Sequence, residues 1–221
     1  MKIQAIIHCH SAFSPDSNLS LERIINLCQA HRIDAIALTD HNEITGALAL
    51  QNMAPPDLKV IIGEEVTSRE GHIIGLFLDK KIPPGLSIEE TIYAIRQQGG
   101  VVLLPHPFDR IRKGSVGIPV TQRIKDKIDF IETFNARCLL KSDNTKAQLF
   151  AKEHNLASYA GSDGHFASEY INAIATMDDF TTKETFITSL KQATFTTRPA
   201  GWVAHLRSQQ VKRFTRHHLS P

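Results

Sequence analysis

Short apolar runs alternate along this chain with segments of helical period. Residues 3–7 read as a strand. Ser20 is placed to cap a helix over 21–30, where Leu21, Ile24, Ile25, Leu27 and Cys28 make an apolar face. A buried strand is predicted over 35–38, then a helix over 43–51 stopped by Pro55-Pro56. Strands follow over 58–62 and 73–77. Ser87 opens a helix that runs to Gln98 and ends on Gly99-Gly100. Pro105 halts a strand over 101–104. Beyond it the pattern predicts a strand over 128–131, a helix over 144–154, strands over 156–160 and 173–176, and a helix over 183–192.

Strands this uniformly apolar belong where a parallel sheet is covered on both faces. About seven strand–helix units fit in the chain, so the expected class is α/β and the expected form a closed or nearly closed barrel. An open, doubly wound sheet is the rival. The polar residues favour the barrel, because candidate ligands fall at the C-terminal ends of at least six strands. A barrel brings those ends to one face, whereas an open sheet spreads them along an edge.

Composition narrows the setting. The 221 residues suit one domain, at most two small ones, with 42% hydrophobic and 22% charged residues as in ordinary soluble proteins. The expected division is one catalytic barrel over 1–200 and a basic C-terminal segment over 201–221. That segment carries Lys212, Arg213, Arg216, His217 and His218 and reads as a solvated surface helix rather than a nucleic-acid arm. A net charge of +2 leaves nucleic acid undecided as a partner. The 3 cysteines form no Cys-x-x-Cys, which excludes a zinc ribbon or a thioredoxin-like site. An odd, sparse set fits reduced thiols, so a cytoplasmic location is expected. The first residues lack a signal-peptide pattern, and no apolar run approaches the roughly 18 residues of a membrane helix.

The chemistry starts at the end of the first predicted strand, with His8-Cys9-His10. Two imidazoles two residues apart on extended backbone point the same way, as a metal pincer does. Asp163 and His165 repeat that spacing late in the chain. Between them lie Asp16, Asp40-His41, Glu64-Glu65, His72, His106-Pro107 and Glu132. A lone strand-end histidine is usually a hydrogen-bonded polar residue. Here 6 of the 11 histidines stand in such places beside carboxylates or a proline, a donor set that borderline divalent metals accept.

These residues resemble, in order, the motifs of the PHP (polymerase and histidinol phosphatase) superfamily. Its His-x-His, then Ser or Thr, then Asp reads His8-Cys9-His10-Ser11 and Ser14-Pro15-Asp16. Its Thr-Asp-His reads Thr39-Asp40-His41, and its Gly-x-Glu reads Gly63-Glu64-Glu65. Gly71-His72-Ile73-Ile74-Gly75, His106-Pro107 and Gly161-Ser162-Asp163-Gly164-His165 complete the set. Two positions depart from the pattern. Ile6 stands where the family often has Asp, and Gly164 replaces the usual Ala.

The resemblance implies a distorted (β/α)7 barrel with a metal site at the C-terminal ends of the strands. It implies two or three divalent ions, which zinc, manganese or iron would suit. Carried over by motif, His8, His10, Glu65 and Asp163 hold one ion. Glu65, His72 and His106 hold a second, and Asp16, His41 and His165 hold a third. Asp40, His41 and His165 become the candidate catalytic residues, Asp40 by orienting a ligand histidine or moving a proton. Its plain alternative is a loop cap. Glu132 supports a ligand from behind or simply bonds backbone amides.

Phosphate also needs cationic donors, and Arg110, Lys113 and Arg137 follow predicted strands on that face. Surface salt bridges are their alternative role. Phe13 stacks on a base or seals the barrel mouth. The expected activity is hydrolysis of a phosphate ester by a metal-activated water. A phosphomonoester, a nucleotide or a short oligonucleotide end is the small phosphorylated substrate expected, with no membrane and no obligate protein partner. No polymerase region accompanies the motifs, and nothing reads a histidinol side chain. The alternatives are a metal-dependent hydrolase of carbon–nitrogen or ester bonds, which needs no cationic cluster, and a non-catalytic metal-binding module, which loss of ligands would signal.

Overall fold

β1 (Lys2–Cys9) alternates between exposed and buried residues up to Gln4 and is buried throughout from Ala5. The computed structural model describes residues 1–202 and residue 211. After β1 come α1 (Leu21–Ala30), β2 (Ala35–Leu38), α2 (Thr45–Met53), β3 (Lys59–Thr67) and β4 (His72–Leu76). The middle of the chain forms α3 (Ile88–Gln97), β5 (Val101–Leu104), α4 (Gly117–Ile124), β6 (Phe130–Asn135) and α5 (Lys141–Glu153). The last elements described are β7 (Ser158–Gly161), α6 (Ala167–Tyr170), β8 (Ala173–Asp178), α7 (Lys183–Lys191) and β9 (Thr194–Thr197). Local chemistry starts several helices as expected. The Ser20 hydroxyl accepts from Arg23 N ahead of α1, and Ser87 and Glu90 form a reciprocal capping box on α3.

The strands form one 9-stranded sheet in the order β7-β6-β5-β4-β3-β2-β1-β8-β9. It curls into a nearly closed, distorted barrel. β7 meets β1 through two hydrogen bonds, Asp163 N to the His8 carbonyl and His10 N to the Gly164 carbonyl, each 2.8 Å. The closing seam is thus made by the two His/Asp motifs themselves.

Burial on both sheet faces follows the period of the strands. Ala5 and Ile7 pack with Ala37, Ile61, Leu103, Phe130 and Tyr159 in one cluster. Ile6, Ile36 and Leu38 pack with Ile24, Cys28 and Leu50 from α1 and α2 in another. Each large side chain so covered contributes about 1.5–3 kcal/mol.

Three findings differ from the sequence reading. β4 runs antiparallel to both β3 and β5, because residues 68–71 are too few for a parallel crossover. Ser68 N instead closes a tight turn onto the Gly71 carbonyl at 2.9 Å. β8 and β9 are antiparallel additions beside β1. β3 also extends to Thr67, so Glu65 lies within a strand rather than beyond one. Of the basic segment, Lys212, Arg213, Arg216, His217 and His218 fall outside the described residues. Among those described, no helix is long and apolar enough to cross a membrane, and Cys9, Cys28 and Cys138 are free thiols.

Candidate metal centre

The barrel rim collects the histidines and carboxylates from six strands and the loops that follow them. His8 ends β1 with Cys9, and His10 follows. Asp40 and His41 follow β2, His106 follows β5, and Asp163 and His165 follow β7. His72 arrives differently. It opens the reversed β4 and pairs with Thr67, the last residue of β3, so the antiparallel turn places an N-terminal residue on the same rim. His106 and Asp163 adopt left-handed backbone (φ 27 and 49), a strained conformation that concentrates at functional sites.

Glu65 is the hub. Its Oε1 lies 2.8 Å from His72 Nδ1 and 2.9 Å from His106 Nε2. Its Oε2 lies 3.4 Å from His8 Nε2, 3.2 Å from His10 Nε2 and 3.2 Å from His41 Nδ1. One carboxylate therefore faces five imidazoles, divided between its two oxygens. Asp163 Oδ1 faces His8 Nε2 and His10 Nε2 at 3.8 and 3.4 Å. Asp16 Oδ2 sits between His41 Nε2 at 3.5 Å and His165 Nε2 at 3.2 Å. The nine residues expected as ligands thus converge on one place, but they do not separate into the three groups expected from the motifs: His41, expected with Asp16 and His165, also lies against Glu65. Three overlapping triads, His8-His10-Glu65, His41-Glu65-His72 and His10-His41-His165, present donor atoms close enough to share an ion. The mixed nitrogen and oxygen donors fit divalent metals.

Electrostatics divides the imidazoles. Burial opposes charge on His8, but Asp163, Glu132 and Glu65 hold its pKa well above the usual histidine value. Burial also opposes charge on His10, yet hydrogen bonds to Asp163 and Glu65 raise it to about 9. His165 goes the other way, pushed down to about 3 by burial and the Arg137 charge. Glu65 and Asp163 stay well below the carboxylate range. Despite burial, His41 and His72 hold Glu65 there, and Arg112 and His8 hold Asp163. Without metal, protons on His8 and His10 balance this buried negative charge, and a metal would have to displace them.

Behind the imidazoles stands a second set of polar contacts. His8 Nδ1 donates to Glu132 Oε1 at 2.9 Å, which turns Nε2 toward the hub. Glu132 Oε2 accepts from His106 N at 2.6 Å and from Asn135 Nδ2 at 2.8 Å. Asp40 has no direct hydrogen bond to an imidazole among the described residues. It accepts from Ser11 N and Ser11 Oγ, both at 2.6 Å, and from Ser14 Oγ at 2.9 Å. Ser14 Oγ in turn lies 3.2 Å from His10 Nδ1 and accepts from His41 N at 2.9 Å. Ser14, quoted only as part of a motif at the sequence level, is the link through which Asp40 touches both histidines.

The cluster opens into a cavity of about 540 Å³ whose cationic lining is Arg112, Lys113 and Arg137. Arg137 is buried, with its guanidinium on His165 Nδ1. Arg110, expected at the cavity, turns away to Asp143 (2.8 Å) and Ser142 (2.8 Å). Arg112, passed over in the sequence, takes the inner position. Nothing in the local pattern separates the two, since both stand on an irregular loop whose side-chain directions depend on Asp109, Asp143 and Asp163. Phe13 is 44% exposed and lies against Gly46 of α2 rather than among the cavity-lining residues.

Comparison with known proteins agrees with this architecture. The model of the PHP domain family matches residues 7–168. An uncharacterized protein of Methanocaldococcus jannaschii is 37% identical over 146 residues, 61% of this chain and 82% of that protein. A 5′-3′ exoribonuclease of Haemophilus influenzae is 31% identical over 118 residues, 51% of this chain and 40% of the exoribonuclease. Among solved structures, one similar fold is a two-domain protein of Bacteroides vulgatus described as containing a predicted PHP-like metal-dependent phosphoesterase. The TM-score is 0.69 at 18% identity, and the match covers 90% of this chain and 65% of that one.

Proposed function

The chain belongs to the PHP domain family, and on that premise we propose that it is a metal-dependent phosphoesterase acting on a nucleotide or a short oligonucleotide end. The observation that carries the reading is Glu65, whose two oxygens face separate imidazole groups. A shared carboxylate is the natural way to hold two cations close together.

His8, His10, Glu65 and Asp163 would hold one ion, Glu65, His72 and His106 a second, and Asp16, His41 and His165 a third. Zinc, manganese and iron all suit these donors. When bound, such ions supply an activated water and a positive clamp on phosphoryl oxygens. The protein's own groups prepare the rest. Glu132 orients His8 through Nδ1, and Asp40 orients His10 through Ser14. Arg137 and Lys113 bring positive charge to the cavity for the substrate phosphate. His41 and His165 flank Asp16 at the same mouth, where these three donors would present an ion to the leaving-group side of the substrate.

The name of the Haemophilus relative supports a nucleic-acid-derived substrate, as do cations clustered beside the donors, which a carbonyl substrate would not need. Residues 1–200 form the catalytic unit in this reading. Three free thiols suit the reducing cytoplasm.

The test is release of phosphate or of mononucleotides by manganese-loaded protein. The panel holds nucleoside monophosphates, nucleoside bisphosphates, short oligonucleotides and histidinol phosphate, and a His10→Ala/Asp163→Ala double variant is the control. Turnover of one class, absent in the control, is expected. No release with manganese, zinc or iron, from protein that binds those ions, would overturn the reading in favour of carbonyl hydrolysis or a binding module.

A further inference from the structure

A second cavity, of about 280 Å³, lies behind one wall of the metal centre. Its lining comes from the end of β6 and the loop after it, from the first turns of α5, and from residues 199–202. That last segment is tied to the loop by the 2.8 Å hydrogen bond from Ala200 N to the Ala136 carbonyl. Just upstream, Arg198 N donates to the Asn172 carbonyl at 2.7 Å. The wall between the two cavities is thin. Asn135 lines the second cavity, and its Oδ1 accepts from Arg112 Nη2 at 3.1 Å. Cys138 lines it too, with Sγ 3.5 Å from Asp109 Oδ2, the oxygen that accepts from Arg112 Nε at 2.8 Å. Arg112 itself lines the cavity of the metal centre. Both cavities lie at the same end of the barrel, because α5 starts close after β6 ends.

The lining is of two kinds. Phe134, Leu139 and Trp202 are apolar, and Trp202 keeps 68% of its surface exposed. Lys141 and Gln148 bring an ammonium and an amide. The Asn144 amide is already spent on the backbone of Asn135, its Oδ1 accepting from the N–H at 3.0 Å and its Nδ2 donating to the carbonyl at 3.1 Å. Gln148, one turn further along α5, is exposed. An aliphatic ligand would cover these polar groups without satisfying them, and a bare sugar would leave the indole face unused. A flat ring with a hydrogen-bonding edge suits both, since it stacks on the indole and pairs with the amide. The volume is below the roughly 300–1,000 Å³ of pockets for whole drug-sized ligands, so it suits one ring system rather than a complete cofactor.

We propose that this cavity is a base-binding subsite, in which Trp202 stacks on the nucleobase of the nucleotide adjoining the one whose phosphate lies at the metal centre. The proposal rests on the phosphoesterase reading above and narrows it, because the preferred substrate becomes a dinucleotide or longer rather than a mononucleotide. Lys141 supplies positive charge for the phosphodiester that joins the two nucleotides. Every base has a π face, so stacking reads the length of the strand and not its sequence. Gln148 is the group that gives the subsite a base preference.

Trp202 is the single tryptophan of the chain, so its fluorescence reports on the subsite without a label. Manganese-loaded protein is titrated with a 5′-phosphorylated dinucleotide whose phosphates are phosphorothioates that resist hydrolysis, and with the same compound lacking its second base. Saturable quenching by the first is expected, with affinity roughly 5- to 100-fold above that of the abasic compound. Gln148→Ala should weaken the quenching for some bases more than for others. In turnover of the unmodified dinucleotide, Trp202→Ala should raise KM roughly 5- to 100-fold and leave kcat unchanged. Trp202→Phe should recover most of the KM, which separates stacking from a packing role of the indole. Quenching as strong with the abasic compound, or an unchanged KM in Trp202→Ala, would overturn the proposal while the phosphoesterase reading stands. Base-dependent quenching in a protein that hydrolyses no ester would sustain the base pocket and overturn the phosphoesterase reading instead.

Discussion

A single methyl group at Gly161 should uncouple the metal centre from its support. Gly161 ends β7 beside Glu132, and a Cβ built there would lie 1.8 Å from Glu132 Oε1 and 3.0 Å from His8 Cβ. A carbon–oxygen contact needs about 3.3 Å, so the oxygen must retreat by about 1.5 Å. Such a retreat is cheap for the free end of a flexible side chain. Here the carboxylate is pinned by His8 Nδ1, His106 N and Asn135 Nδ2, and any move large enough to clear the methyl opens the 2.9 Å bond to His8. Losing one charge-assisted hydrogen bond costs about 1.5–3 kcal/mol, and overpacking adds about 1–3 kcal/mol. Gly161→Ala is therefore expected to lose roughly 3–6 kcal/mol of stability in urea unfolding of the metal-free protein. Manganese affinity should drop by roughly 10- to 100-fold, because His8 loses its orienting partner. Glu132→Gln is the companion variant, since it removes the charge without the clash. A Gly161→Ala protein within about 1 kcal/mol of wild type and with unchanged manganese affinity would refute the argument that close approach at this position holds the Glu132–His8 pair.

Other expectations follow from the same contacts. Ser14→Ala removes the hydroxyl between His10 Nδ1 and Asp40, and manganese affinity measured by calorimetry should fall about tenfold. Glu64 points away from the hub and is buried, with Oε1 lacking a hydrogen-bond partner, and burial pushes its carboxyl from 4.5 up to about 7. A pKa raised on folding means stability that is fully present below pH 4.5 and lost as pH rises through 7. Glu64→Gln should flatten that part of the stability curve and exceed wild type above neutrality by on the order of 3 kcal/mol, as urea titrations at several pH values will read. Manganese added to metal-free protein at neutral pH should release protons, because His10 is held at about 9 and must lose its proton to become a ligand. An observed enthalpy that does not vary with buffer ionisation would contradict this. Saturation to 100 times the dissociation constant should add about 2.7 kcal/mol of unfolding free energy, and a chelator should remove it.

Much of the barrel is written in local pattern. Continuous apolar stretches such as 101–104, with turn and cap residues around them, specify strands buried on both faces. Ser20 and Ser87 mark helix starts because a hydroxyl at that position satisfies a backbone amide whatever surrounds it. The histidines and carboxylates were legible for a similar reason: a donor two residues from another on extended backbone faces the same way in any strand. The elements that escaped notice had weaker local signals. α4 opens on Gly117 and carries Pro119 in its first turn, and β9 is only the four residues Thr194–Thr197, mostly exposed. The reversal of β4 follows from the length of the 68–71 connection rather than from the apolar pattern of β4 itself, which reads the same in either direction.

By itself, then, the chain determined which residues could donate to a metal and that strands would carry them, because residue chemistry and strand period are local. Only the tertiary structure decided how those donors divide among the two oxygens of Glu65, and that Asp40 is linked to His10 and His41 through Ser14. It also decided that Arg112 rather than Arg110 faces the cavity. These depend on distances between segments as far apart as Arg112 and Asp163 or His8 and Glu132. A side chain on an irregular loop takes its direction from the strongest partner within reach, and that partner is supplied by the closing of the barrel.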